Sequence, residues 1–190
     1  MSRLDKTTAL ALLQTTTTQP HLLQHAVAVS AAMGAMARHF EEDRPYWESV
    51  GLLHDYDYEQ YPEEHLAHTE EPLRAAGVDE ESIRAIMAHG WGLCTDVEPL
   101  TPMEKSLYAV DELTGLISAA ARMRPTGIAD LETGSVKKKF KDKKFAAKIS
   151  RDVIAKGADL LGLSLEELIA LCIDGMRPYA AELGLLSTGA

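Results

Sequence analysis

Gly51-Leu52-Leu53-His54-Asp55 sets a histidine and an aspartate at the end of an apolar helical run. Upstream, Pro45 suits a first helical turn, and Trp47, Val50 and Leu53 follow at helical spacing up to His54. A carboxylate carried into such surroundings costs free energy unless it is paired or bound to a cation. The doublet therefore needs partners from elsewhere in the chain.

Working outward, the flanking helices offer them. A helix opening near Pro20 carries Leu22, Ala26, Val29, Met33, Met36 and Phe40 at one period, and His25 shares that face. Asp79 is a suitable N-cap for a helix through Ile83, Ile86 and Met87, ended by Gly90, which puts His89 three residues after Ile86. Thr101-Pro102-Met103-Glu104 combines a capping box with proline at the first helical position. The helix it opens should reach about Met123, with Asp111 on the stripe of Leu107, Thr114 and Ile117. Taken singly, each residue has an ordinary explanation, such as a hydrogen-bonded core histidine or an aspartate paired with arginine. Four helices each turning an imidazole or carboxylate inward is what a metal site in a helical bundle requires.

The remaining chain reads as more helix. Segments from Lys6 to about Thr15, Glu63 to Ala76 (with Pro72 as a point where it bends or breaks), Asp152–Leu161 and Ser164–Leu183 are expected to be helical. Asp57 to Pro62 is a loop, either lining the mouth of a pocket or simply polar. Sparse aromatics (6%) and the absence of period-2 alternation give an all-α chain. Its 190 residues suit one domain, 1–190, with a core at about 19–123 and a basic loop with accessory helices at about 124–190. A net charge of −10 argues against general nucleic-acid or anionic-membrane binding. Two cysteines, Cys94 and Cys172, point to a reducing compartment, and no signal peptide or membrane-spanning run is evident, so the expected location is cytoplasmic.

From about Gln19 to Ala121, the series His25, His54-Asp55 and Asp111 resembles the signature of the HD superfamily of metal-dependent phosphohydrolases. The resemblance implies an all-helical HD-domain bundle with a central metal site and a C-terminal helical extension. It implies that His25, His54, Asp55 and Asp111 hold a first metal, with His54 and Asp55 at the catalytic centre and Asp55 able to bridge two ions. Members with two metals carry further histidines between the doublet and the distal aspartate. His65, with Thr69 and Leu73 following, matches one such position better than His68, although Glu70 and Pro72 depart from the usual pattern. His89 after Ala85-Ile86-Met87-Ala88 resembles the next, with Gly90 standing where a second histidine is usual. His21 makes an i, i+4 pair with His25 but is not selected by the resemblance.

Mixed imidazole and carboxylate donors suit one or two ions of Mn, Fe, Co, Ni or Zn. The implied activity is that of a phosphatase or phosphodiesterase acting on a small phosphorylated metabolite or nucleotide through metal-activated water. Two alternatives belong to other classes: a di-iron oxygenase of the HD type, and a non-catalytic metal- or nucleotide-binding regulatory module. Lys137 to Lys144 holds six lysines and one acid. It is either a solvated face or, through Lys137, Lys138 and Lys139 with Arg124 or Arg122, a substrate-phosphate contact.

Overall fold

The computed structural model describes residues 3–186. Among them lie nine α-helices and no β-strand: α1 (Lys6–Leu13), α2 (Pro20–His39), α3 (Arg44–Leu53), α4 (Glu70–Ala75), α5 (Glu80–His89), α6 (Pro102–Arg122), α7 (Thr133–Lys141), α8 (Arg151–Leu161) and α9 (Leu165–Met176). The stripe read from Leu22 onward belongs to the central helix. Every residue of α2 from Ala28 to Ala37 is buried, and most are small, so its neighbours approach its backbone closely. A Cβ at Gly51 of α3 would lie 2.8 Å from Ser30 Cα, and one at Gly175 of α9 would lie 2.5 Å from the Ala31 carbonyl oxygen. In a close-packed interior, neither position admits a side chain unless backbone moves.

The helix starts follow the expected chemistry. Thr101 Oγ1 accepts the Glu104 N–H at 3.3 Å while Glu104 Oε2 accepts the Thr101 N–H at 3.2 Å, completing the box that opens α6. Ser164 and Glu167 do the same for α9, and Asp79 accepts the Ser82 N–H at the start of α5. Around α2 pack α3, α6 and α9; α1 covers α3, α5 and α8 flank α6, and α7 rests on α9 and α6. Val29, Met33, Leu53, Ile86 and Leu113 share one apolar core with Ile128, Val136, Ile154 and Ile173. The segment after residue 123 thus contributes to the common core rather than standing beside it. No helix among the described residues is long and apolar enough to cross a membrane.

Two expected helices are shorter than the sequence suggests. The run from Glu63 to Ala76 is broken into a 3-10 turn (Pro62–Glu64), a tight loop and the short α4. Pro72 is not the cause, since it sits in the first turn of α4, where its missing N–H has no helical partner to lose. The break lies at Leu66, whose φ of +70° is outside the right-handed helical region. The last helix ends at Met176 and passes into a 3-10 turn over Arg177–Tyr179, where Pro178 cannot donate to the helical ladder.

Candidate metal centre

Six side chains from five places in the chain meet at the centre of the bundle. His25 comes from the second turn of α2, His54 and Asp55 from the end of α3, His65 from the loop after it, His89 from the last residue of α5, and Asp111 from the middle of α6. His54 and His89 are buried, and the other four reach the surface only in part. The donors form overlapping groups, His25/His54/Asp55, His54/His89/Asp111 and Asp55/His65/His89, each with its ligand atoms within 4.8 Å of one another.

Asp55 joins two halves of this arrangement. Its Oδ2 lies 3.3 Å from His54 Nε2 and 3.7 Å from His25 Nε2, while its Oδ1 lies 3.2 Å from His65 Nε2 and 3.8 Å from His89 Nε2. Asp111 Oδ1 closes the first half, at 2.9 Å from His25 Nε2 and 3.4 Å from His54 Nε2.

The rest of each ring decides which nitrogen faces inward as a donor. His54 Nδ1 donates to the Gly51 carbonyl at 2.9 Å, and His89 Nδ1 donates to the Ile86 carbonyl at 2.6 Å; a carbonyl can only accept. His65 Nδ1 donates to Asp57 Oδ1 at 2.8 Å. In the neutral rings, the Nε2 lone pairs therefore point into the centre. Two of these nitrogens, His65 and His89, stand 3.2 Å apart, and His25 and His54 Nε2 are separated by the same 3.2 Å. Two facing lone pairs repel, so each of these pairs needs a proton or a metal cation between its nitrogens. Metal–imidazole bonds of about 2.0–2.1 Å put neighbouring ligand atoms about 3.0–3.4 Å apart, so these spacings fit a shared ion. The buried histidine and aspartate groups could thus hold a metal ion.

The electrostatics are those of a cation trap. Burial works against ionising Asp55 and Asp111, yet the histidines facing them hold both carboxyls well below the usual range. Burial also opposes a charge on His54, but Asp55 and Asp111 outweigh it and raise its pKa well above normal. His65 is lifted to about 9, because the Asp55 and Asp57 carboxylates overcome its burial. His89 is pushed down to about 4, first by burial and then by the neighbouring charge on His54.

Asp57 was not singled out by the sequence beyond its place in a polar loop. It is 2% exposed, and besides His65 it accepts the Leu66 N–H and the His68 N–H, both at 3.1 Å. These bonds turn the chain at Leu66 and fix the His65 ring, as a carboxylate commonly does behind a metal-bound histidine. The available signal was an aspartate suited to holding a turn, eight residues before a candidate ligand. Glu59 acts elsewhere, because its carboxylate accepts the Thr18 and Gln19 N–H groups at 2.8 and 3.0 Å and caps the start of α2.

A cavity of about 490 Å³ opens onto His25, Asp55, His65, His89 and Asp111. Lys137, Lys138, Lys139 and Arg124, the expected phosphate contacts, do not line it. Lys137 pairs with Glu166, Lys139 lies over the Phe145 ring, Lys138 is exposed, and Arg124 pairs with Asp130 at 2.8 Å. The reason is the packing of α7, which buries Val136 against α9 and α6 and commits its lysines to other surfaces. His68 also stands apart, paired with Glu64 at 2.6 Å and stacked on Tyr61. His21 does line the cavity, although it belongs to none of the three donor groups.

Comparison with protein-family models, curated proteins and solved structures finds no match to this chain.

Proposed function

We propose that this chain is a metal-dependent phosphohydrolase of the HD kind, cleaving a phosphoester of a small phosphorylated metabolite. The observation that carries the reading is the two-sided contact of Asp55, one oxygen toward His25 and His54 and the other toward His65 and His89. His25, His54, Asp55 and Asp111 would hold one divalent ion, and Asp55, His65 and His89 a second. Ions of this kind supply Lewis acidity toward a phosphoryl oxygen and a water nucleophile ionised near neutral pH.

The protein's own contribution is positional. The Gly51 and Ile86 carbonyls hold the His54 and His89 rings in one tautomer, and Asp57 does so for His65. Asp55 and Asp111, kept ionised, make the centre attractive to cations across the neutral range. The cavity above gives a phosphoester room beside the donors. A reducing, cytoplasmic setting fits the two free cysteines, Cys94 and Cys172.

Metal analysis of the purified protein, joined to a phosphatase and phosphodiesterase panel with added Mn²⁺, Ni²⁺ or Co²⁺, tests the proposal. Turnover is expected, with at least a hundred-fold loss in His54→Ala and in Asp55→Ala. Inactivity with every metal would sink it. Bound iron, a visible absorption band and oxygen consumption would favour oxidative chemistry instead.

A further inference from the structure

We infer that the site takes a phosphoester with a single phosphorus and an apolar organic group, and turns away nucleoside di- and triphosphates. This rests on the hydrolase reading above and concerns the walls of the same cavity. Its volume of about 490 Å³ lies within the usual range for a small-molecule pocket. Beyond the metal donors, much of the wall is apolar: Leu22 from α2, Pro62, Leu93 and Ile149. The Tyr58 ring, also in the wall, stands edge-on to His65 with centroids 5.2 Å apart.

No lysine or arginine is among the described residues that line the cavity, whereas three carboxylates, Asp55, Asp111 and Glu112, are. One divalent ion leaves these groups with net negative charge, and two leave a single positive charge. With two ions, a phosphomonoester dianion meets that single positive charge. A triphosphate brings roughly two more negative charges at neutral pH, which protein sites meet with arginine forks or lysines. Arg122 lines the adjoining small cavity, where it makes a 3.4 Å contact with Gln24.

The apolar wall is a built feature. Arg151 turns inward and donates to the carbonyls of Ala146 at 2.7 Å and Ile149 at 2.8 Å, and also to that of Phe145. Those bonds wrap the segment before α8 around one guanidinium and hold Ile149 at the cavity. Glu112 is pinned from the same side, its Oε2 accepting the Ser150 N–H at 3.1 Å. Arg151 is thereby committed to backbone, and the Glu112 carboxylate lines the cavity.

The test uses the full chain loaded with Mn²⁺ and two matched comparisons: phenyl phosphate against glycerol phosphate, and a nucleoside monophosphate against its triphosphate. We expect kcat/KM to favour the first of each pair by at least ten-fold. In Glu112→Gln, which keeps an oxygen to accept the Ser150 N–H, the mono-to-triphosphate ratio should narrow by three-fold or more. Equal or faster turnover of glycerol phosphate or of the triphosphate, or an unchanged ratio in Glu112→Gln, overturns the inference and leaves the hydrolase reading standing. If no phosphoester is turned over with any metal, the hydrolase reading fails, and equilibrium binding of phenylphosphonate and methylphosphonate then decides the pocket. Phenylphosphonate binding at least ten-fold tighter supports the apolar wall; equal binding overturns it.

Discussion

Asp57→Asn separates the two halves of the proposed centre, because Asp57 touches only one of them. Its carboxylate is 2% exposed and receives three donors, His65 Nδ1–H at 2.8 Å and the Leu66 and His68 N–H groups at 3.1 Å each. Asparagine keeps one acceptor oxygen but turns an NH₂ group toward the remaining donors and removes the charge. Loss of such a partner behind a metal-bound histidine costs about 10–100-fold in affinity, or about 1.4–2.7 kcal/mol. His25, His54 and Asp111 make no hydrogen bond to Asp57, so the first position should change by less than about three-fold. The assay is calorimetric titration of Mn²⁺ or Zn²⁺ into the metal-free protein. The native chain should show two steps, and Asp57→Asn should weaken the second alone. His25→Ala should do the reverse. The same Asp57 variant should lower Tm, since a lost charge-assisted hydrogen bond costs about 1.5–3 kcal/mol, which is roughly 3–12 °C in a domain of this size. Equal weakening of both steps, or an unaltered second step, would refute the division of the site at Asp55.

Two further outcomes follow from charge and from packing. In the metal-free protein, His65 keeps its proton up to about pH 9 against about 6.5 unfolded, so its stabilisation is complete below 6.5 and is lost as pH rises to 9. His89 behaves oppositely: pushed to about 4, it leaves the unfolded chain to bind the proton first as pH falls below about 6.5, and stability drops down to pH 4. Thermal melts in a chelator should therefore show Tm greatest at about pH 6–7. Bound metal should remove the alkaline decline, because the ion takes the proton's place; a metal-free Tm that rises from pH 7 to 9 would contradict this. Gly51→Ala drives a methyl to 2.8 Å from Ser30 Cα, an overpacking that typically costs about 1–3 kcal/mol, and it also displaces the carbonyl that orients His54. Lower Tm together with weaker metal binding is expected, and an unchanged first binding step would show that the carbonyl anchor is dispensable.

How much of the site was legible in the sequence depended on which interactions decide each residue's place. His25, His54, His89 and Asp111 lie on or at the ends of helices whose apolar stripes run through the sequence, so their common inward direction was legible. His65 was reachable only through the family resemblance, because its loop owes its path to Asp57 and to a positive φ at Leu66, neither of which has a periodic signature. The lysines of α7 pointed to a phosphate contact, yet they do not line the cavity beside the donors. A run of like charge does not say which side of a helix packs, and here the deciding residue was the single buried Val136. The apolar wall was invisible for a similar reason: Ile149 reaches the cavity because Arg151 gathers the carbonyls around it, a contact pattern with no local sequence motif.

The positions of His54 and His89 also give a physical reason why this bundle places ligands where it does. Both stand at the C-terminal ends of their helices, and each bonds the carbonyl three residues earlier. The last carbonyls of a helix have no helical N–H partner, so they are available to hold an Nδ1–H, and they bring the negative end of the helix dipole toward the centre. One helix end therefore fixes the tautomer, aims Nε2 and favours a cation there. His25 and Asp111, inside α2 and α6, lack that anchor and lean on each other at 2.9 Å instead. Carboxylates and imidazoles set among alanine, leucine and isoleucine are a poor device for stability alone, since apolar side chains of similar volume often do as well or better. Their cost is offset when a cation sits between the facing nitrogens, which makes ion binding the simplest physical reason for the arrangement.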